Sequence, residues 1–267
     1  PVIAETLAGT GLIDEPLLFH PRSADQTLSE TAVCHRLLTE RCDLAVLFTN
    51  SWRTAWLAWR SGIRERVGYA RDLRGWLLTR RLKPHSKRVP NPVLDEYNRL
   101  AIACGCPQPT SRLQLAVSTE AAALWNTLRP RHPITREPQP YLCLNSGGAF
   151  GPAKNWPVAS FATLARRVAE TRGMPVVVSC GPAERDDARA IVAAAAHLLV
   201  TSLADAPLSI SLTKAVVAEA TAMVTTDSGP RHFAAAFNVP VVTLFGPTHI
   251  AWSETRFPLA IHLQQPV

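Results

Sequence analysis

The sequence predicts an α/β fold in two domains, each built around a parallel sheet. Three observations carry this reading. Short β-branched runs alternate with amphipathic helical stretches over residues 141–245. Two of those runs end in glycine-containing turns, at Ser146, Gly147 and Gly148 and at Asp227, Ser228 and Gly229. Residues 129–140 (RPRHPITREPQP) are proline-rich, polar and without apolar periodicity, which marks a linker and divides the chain into 1–135 and 136–267. Alternation at this pace implies sheets covered by helices on both faces.

In chain order, residues 1–5 carry a helical pattern. A strand, a helix and a second strand follow between about residues 17 and 50. Helices are predicted at 52–61, 73–81, 92–103 and 118–129. After the linker the alternation is cleaner. Strands are predicted at 141–145, 175–180, 197–202, 223–226 and 239–245, with helices at 158–171, 183–196, 208–221 and 230–237. A further strand-like run occupies 259–263. A chain of 267 residues has room for two modest domains, and its 47% hydrophobic content supports real cores.

Residues 223–248 (MVTTDSGPRHFAAAFNVPVVTLFGPT) are the most informative stretch. Val224, Thr225 and Thr226 suit a buried strand. Ser228 is a good N-cap, Gly229 lets a ligand approach the backbone, and Pro230 fits a first helical turn. A helix starting this way points free N–H groups and a positive dipole end at an anion such as a diphosphate. His232 adds a proton or a hydrogen bond there. An ordinary βαβ turn would look the same, so a second segment matters. Residues 141–156 (YLCLNSGGAFGPAKNW) run from a strand into a loop carrying Ser146, Gly147, Gly148, Gly151 and Lys154. No Ser or Thr follows Lys154 and the glycine spacing is wrong for a Walker A loop; no G-x-G-x-x-G follows the strand either. What remains is hydroxyls, backbone N–H groups and one ammonium at strand C-termini, where doubly wound sheets bind ligands.

No apolar run approaches the roughly 18 residues that span a bilayer. The six cysteines (34, 42, 104, 106, 143 and 180) form no C-x-x-C pair and lack His at zinc spacing, which argues for free thiols in a reducing cytoplasm and against a metal site. Residues 53–88 hold eleven basic side chains against Glu65 and Asp72, beside Trp52, Trp56 and Trp59. Arginines grip phosphate and carboxylate, so an anionic lipid-linked sugar at a membrane face explains the patch better than the plain alternative, a solvated basic helix pair with its aromatics turned to the core. No helix-turn-helix, zinc or RNA-binding signature supports nucleic acid as the partner. Ser211 to Lys214 match S-x-x-K by chance, since no K-T-G follows.

The order N-S-G-G-A-F-G-P-A-K-N-W-P, V-V-V-S-C-G-P-A-E-R-D, T-T-D-S-G-P-R-H-F-A-A-A and L-F-G-P-T resembles glycosyltransferase family 9, in particular its type II ADP-heptose:lipopolysaccharide heptosyltransferases. In the first half, Asn50 to Ala55, Gly62-Ile63 and Arg66 to Tyr69 resemble the same family. The resemblance implies a GT-B fold, two Rossmann-like doubly wound domains facing a cleft, with an acceptor-side N-terminal and a donor-side C-terminal domain. It implies a metal-independent inverting transfer of heptose from ADP-heptose to the lipopolysaccharide inner core. Lys154 would contact the diphosphate, Ser146 and Gly147 would donate to it, and Ser228, Gly229 and His232 would hold it from the other side. Asp227 would orient the sugar or the turn. Glu184 would accept from ribose hydroxyls, or simply be an acid in a first helical turn. Asn50, Ser51, Arg53 and Arg71 would face an anionic lipid A-core acceptor, placing the protein in the cytoplasm, peripheral to the inner membrane. There is no D-x-D, so fixed charge and helix dipoles would replace a metal, and no cofactor is expected. Family members open with a strand and a glycine loop holding the proposed aspartate base. This chain reads as clipped at both ends, its N-terminal domain incomplete and its base upstream of Pro1, with neither Asp14 nor Asp25 in that role. Another nucleotide sugar, or a non-catalytic ADP-sugar-binding fragment, are the alternatives.

Overall fold

A computed structural model describes residues 2–86, 88–147 and 154–264. The chain forms two compact units. One comprises residues 15–111 and 251–254; the other comprises 1–14, 112–250 and 255–267. We call them the small and the large unit.

The first helix, α1 (Val2–Leu7), belongs to the large unit. The chain then enters the small unit through α2 (Glu30–Thr39), β1 (Leu44–Leu47), α3 (Trp52–Arg60), β2 (Glu65–Tyr69), β3 (Arg80–Leu82) and α4 (Val93–Ala103). The three strands form one parallel sheet in the order β1-β2-β3. Two expectations fail here. Residues 17–19 lie in no strand; Phe19 instead packs beside Val33, Cys34 and Leu57, between α2 and α3. The helix expected at 73–81 is a single 3-10 turn, Arg74–Leu77, followed by β3. Asp72 and Leu73 both have positive φ, 50° and 60°, a backbone hand that L-residues do not propagate into a helix. The Arg74 side chain is buried beyond that turn. It donates to the carbonyl oxygens of Tyr69, Thr49 and Ser51 and to Asn50 Oδ1, so one guanidinium ties three loops together. Strand β2 was also illegible, because Glu65, Arg66 and Gly68 break its apolar run.

The large unit holds α5 (Thr119–Leu128), β4 (Leu142–Asn145), α6 (Val158–Arg172), β5 (Val176–Ser179), α7 (Arg185–Ala195), β6 (Val200–Ser202), α8 (Ile210–Ala218), β7 (Ala222–Thr226), α9 (Pro230–Ala236), β8 (Val241–Phe245) and β9 (Ala260–Gln264). Its six strands are all parallel, in the order β6-β5-β4-β7-β8-β9. Counted from β4 this is 3-2-1-4-5-6, the doubly wound order, whose topological switch lies between β4 and β7. Helices cover both faces. On one, Tyr141, Cys143 and Met223 pack with Trp125 of α5 and with Leu212, Val216 and Val217 of α8. On the other, Leu144, Val176 and Val178 pack with Phe161 and Ala165 of α6 and Ile191 of α7. Strands β4 and β5 are buried along their whole length, as central parallel strands must be. Helix α6 stops at Gly173, whose φ of +59° supplies the left-handed C-terminal residue.

The proline-rich stretch at 129–140 does not join the units. It turns back on itself inside the large unit through an antiparallel bridge between Arg131 and Pro138. Helix α5, which precedes it, shares a core with β4, which follows it: the Trp125 and Tyr141 rings meet edge to face at 5.3 Å. The division therefore falls near residue 111, ahead of α5.

Candidate functional site

At the switch point, β4 and β7 end side by side with polar residues where their cores stop. Asn145 closes β4. Its buried Nδ2 donates to Gly147 O, Thr225 Oγ1 and Ser228 Oγ, each at 3.1 Å, so one amide fastens the two glycine turns to each other. Thr226 Oγ1 adds a bond to Gly147 O at 2.9 Å. Ser228 does not cap α9; the residue before the helix is Gly229, with no side-chain cap, and the Ser228 hydroxyl turns back to Asn145 and Thr225. With Asn145 Nδ2, Thr225 Oγ1 and the Thr226 carbonyl as its three partners, the hydroxyl is better satisfied there than at the start of a seven-residue helix.

Above these turns lies a cavity of about 360 Å³. Asn145, Gly147, Ser179, Gly181, Glu184, Ser228 and Gly229 line it, with Val2 and Thr6 of α1 and Phe233 of α9. Glu184 is fixed by accepting from the Gly181 N–H at 2.6 Å, and its carboxylate rests against Gly147. A Cβ on Gly147 would lie 2.1 Å from that carboxyl carbon, so a side chain there would displace the Glu184 carboxylate. Ser179 Oγ and Ser146 Oγ are buried without a hydrogen bond among the described residues. Orphan hydroxyls of this kind mark a place where a polar ligand completes the network.

Beside the cavity stands an ion cluster centred on Asp227. Its Oδ2 accepts from Lys154 Nζ at 2.8 Å, and its Oδ1 lies 3.9 Å from Arg231 Nη1. Arg231 is 2% exposed and further held by His262 Nε2 at 3.0 Å and by the Phe245 ring, 5.2 Å beneath its guanidinium. Two cations thus share the Asp227 carboxylate, and the Glu184 carboxylate lies in the neighbouring cavity. Burial, reinforced by the Arg231 charge, pushes the His232 imidazole down to about 4, so it is neutral near pH 7. The L-F-G-P-T turn is held by Gln264 Nε2, which donates to Gly246 O at 2.8 Å and Thr248 O at 3.0 Å.

Of the residues singled out in this half, Gly147, Glu184, Ser228 and Gly229 line one cavity; Ser146 and Asp227 are chain neighbours of lining residues, and Lys154 is tied to Asp227. Gly148 and Gly151 lie outside the described residues. His232 follows one turn along and does not line the cavity. Sequence reasoning passed over Asn145 and Arg231. A buried amide ending an apolar strand was the legible signal for the first. The second needed the fold, since its partners His262 and Phe245 come from β9 and β8.

The small unit has its own cavity, of about 520 Å³. Asn50 and Arg71 line it with Phe48, Tyr69, His85, Glu96, Tyr97 and Trp252, the last on the short return at 251–254. Arg71 Nε is buried there without a hydrogen bond among the described residues. Burial works against the Glu96 charge, yet the His85 hydrogen bond and the nearby Arg99 hold its carboxyl below the usual range. Ser51 and Arg53 do not join this cavity. The Ser51 carbonyl accepts from Arg74, and Arg53 is exposed on α3.

The sequence profile described as glycosyltransferase family 9 (heptosyltransferase) matches residues 31–260. The chain belongs to glycosyltransferase family 9. Among relatives, lipopolysaccharide heptosyltransferase 2 of Escherichia coli is 30% identical over 224 residues, covering 80% of this chain and 62% of that protein. Lipooligosaccharide heptosyltransferase 2 of Haemophilus influenzae is 29% identical, with 79% of this chain and 62% of that protein covered. The chain therefore spans about 62% of the length of these curated relatives. The solved E. coli ADP-heptose lipopolysaccharide heptosyltransferase II superposes with a TM-score of 0.73 at 28% identity, over 88% of this chain and 72% of that one. The α/β, GT-B class of fold read from the sequence is thus the fold of this family 9 chain. No described helix is long and apolar enough to cross a membrane, and no group of three or more His, Cys, Asp or Glu among the described residues is placed to hold a metal ion.

Proposed function

We propose that the large unit of this family 9 chain binds ADP-heptose, the donor in an inverting, metal-independent transfer of heptose to the lipopolysaccharide inner core. The observation that carries the reading is convergence at the switch point. Separate motifs, around Asn145, Glu184 and Ser228, meet around one cavity with the Lys154–Asp227–Arg231 cluster at its edge. The names of the E. coli and H. influenzae relatives, both heptosyltransferases, support the same donor.

The chemistry asks for stabilisation of a departing diphosphate. Asp227 holds the Lys154 ammonium in place before the ligand arrives, so little reorganisation is needed when charge develops. The Ser146 and Ser179 hydroxyls and the Gly147 backbone would complete their hydrogen bonding on the nucleotide. His232, neutral and one turn beyond the cavity, makes no contact with the nucleotide in this reading, and Glu184 meets the ribose. No residue of this chain is assigned as the base that deprotonates the acceptor. In the small unit, Asn50 and Arg71 are proposed to face the anionic lipid A-core acceptor, with His85 and Tyr97 beside them; such an acceptor puts the reaction at the cytoplasmic face of the inner membrane.

Calorimetric titration with ADP, ADP-heptose and a UDP-sugar, without metal, tests this. ADP compounds should bind preferentially, EDTA should change nothing, and Lys154→Ala should weaken binding at least about tenfold, or 1.4 kcal/mol. A folded protein silent toward every ADP compound would reject the donor site. A clear loss on chelation would reject the metal-free mechanism alone.

A further inference from the structure

Helix α3 is built inside out. Its buried face is Ala55, Leu57 and Ala58, while two of its three tryptophans, Trp52 and Trp59, point toward solvent. Trp52, Trp56 and Trp59 are spaced four and three residues apart and so form a single stripe. Their rings stack in series, with centroids 5.2 Å and then 4.9 Å apart. Trp76, on the 3-10 turn, extends the ladder edge-on to Trp59 at 6.3 Å. Trp52, Trp59 and Trp76 are 42%, 44% and 57% exposed, and Leu73 beside Trp76 is 90% exposed. Trp52, Trp59 and Trp76 are therefore on the surface, while Trp56 packs against Ala55, Leu77 and Leu78. An apolar patch of this size on one face is an interaction surface.

The surrounding charge says what it meets. Arg53 and Arg60 project from the flank of the same stripe, and Arg64 follows the helix, exposed. Arg60 lies 3.8 Å from Glu30. Other arginines of the basic run are used internally: Arg66 donates to the Leu77 carbonyl at 2.6 Å and Arg74 is the buried tie described above. Arg53, Arg60 and Arg64 are thus the exposed cations on and just after α3, while Arg80, Arg81, Lys83 and Arg88 are exposed further along the run. Arg74 links Thr49 and Ser51, just ahead of α3, to the turn that bears Trp76, so the ladder is presented on a fixed support. Indole rings favour the boundary between hydrocarbon and headgroups, and arginines beside them favour anionic lipid.

We infer that the Trp52–Trp56–Trp59–Trp76 ladder is a docking surface for an anionic lipid bilayer, lying in its interface without crossing it. The inference deepens the proposal of a lipid-linked acceptor and rests on that proposal for its purpose. Vesicles carrying no sugar keep the two separable, because they measure docking with neither donor nor acceptor present.

The test is sedimentation of the purified protein with phosphatidylglycerol vesicles and with phosphatidylcholine vesicles, together with tryptophan quenching by brominated acyl chains. The protein should sediment with the anionic vesicles, and bromine should quench its fluorescence. Trp59→Ala with Trp76→Ala should lower partitioning about tenfold or more. Arg60→Gln with Arg64→Gln should abolish the preference for phosphatidylglycerol while leaving the far-UV spectrum unchanged. A folded protein that ignores anionic vesicles would overturn the inference, as would binding unaltered by both pairs. Self-association without lipid that disappears in the tryptophan variant would assign the ladder to a second copy of the chain instead.

Discussion

The two units solve the same problem, covering a parallel sheet, by different means. In the large unit the central strands are buried on both faces by helices, in two large apolar clusters. In the small unit three short strands are only partly covered, and the apolar clusters are small. Its loops are held by polar ties, above all the Arg74 guanidinium on four acceptors. Packing of large side chains makes the first unit stiff enough to aim hydroxyls and charges. In the second, exposed tryptophans are possible because so little of the stability comes from burying them.

The largest effect that sharpens this contrast is Phe161→Ala. That ring is fully buried between α6 and the sheet, and its loss should cost about 3–5 kcal/mol in denaturant unfolding of the large unit. A cost below about 1 kcal/mol would mean that the core is looser than its packing implies.

The next concerns pH. His232 is held near 4 in the folded protein, below the ordinary 6.5 of an unfolded histidine. Between those values the unfolded chain binds the proton and the folded chain does not. Stability is therefore full above about pH 6.5, falls as pH drops toward 4, and levels off below; the shift corresponds to roughly 3 kcal/mol. His232→Gln should flatten this part of the profile. An unchanged slope would assign it to other groups.

Arg74→Met should have a smaller and local effect. Leaving buried carbonyls without a donor costs about 1–3 kcal/mol. Amide exchange should accelerate over residues 49–82 while β4 and β5 stay protected. Equal acceleration in both units would break the contrast, because it would make the polar tie as global as the hydrophobic core.

Legibility in the sequence follows the same division. Every strand of the large unit was visible: β4 and β5 because fully buried strands read as uninterrupted apolar stretches, and β9, though largely exposed, because Ala260, Ile261 and Leu263 keep its run apolar. The two glycine turns were visible because their residues are contiguous. In the small unit β2 and β3 contain Glu65, Arg66, Arg80 and Arg81, and partly exposed strands tolerate charge, so no pattern betrays them. Residues 129–140 looked like a linker because a surface hairpin and a linker share one composition. Only the packing of Trp125 on Tyr141 tells them apart.

The sequence by itself determined the α/β class, the family and the loop residues from which a donor site could be built. Local chemistry is sufficient for these: apolar runs, glycine turns and motif order are all properties of short segments. Only the tertiary structure decided that Asn145 fastens two turns 80 residues apart in the chain, that Asp227 is shared by Lys154 and Arg231, and that α3 shows Trp52 and Trp59 to the outside. Those are facts about what each side chain meets across the fold, and a helix pattern of alternating aromatic and small residues is the same whichever face turns inward.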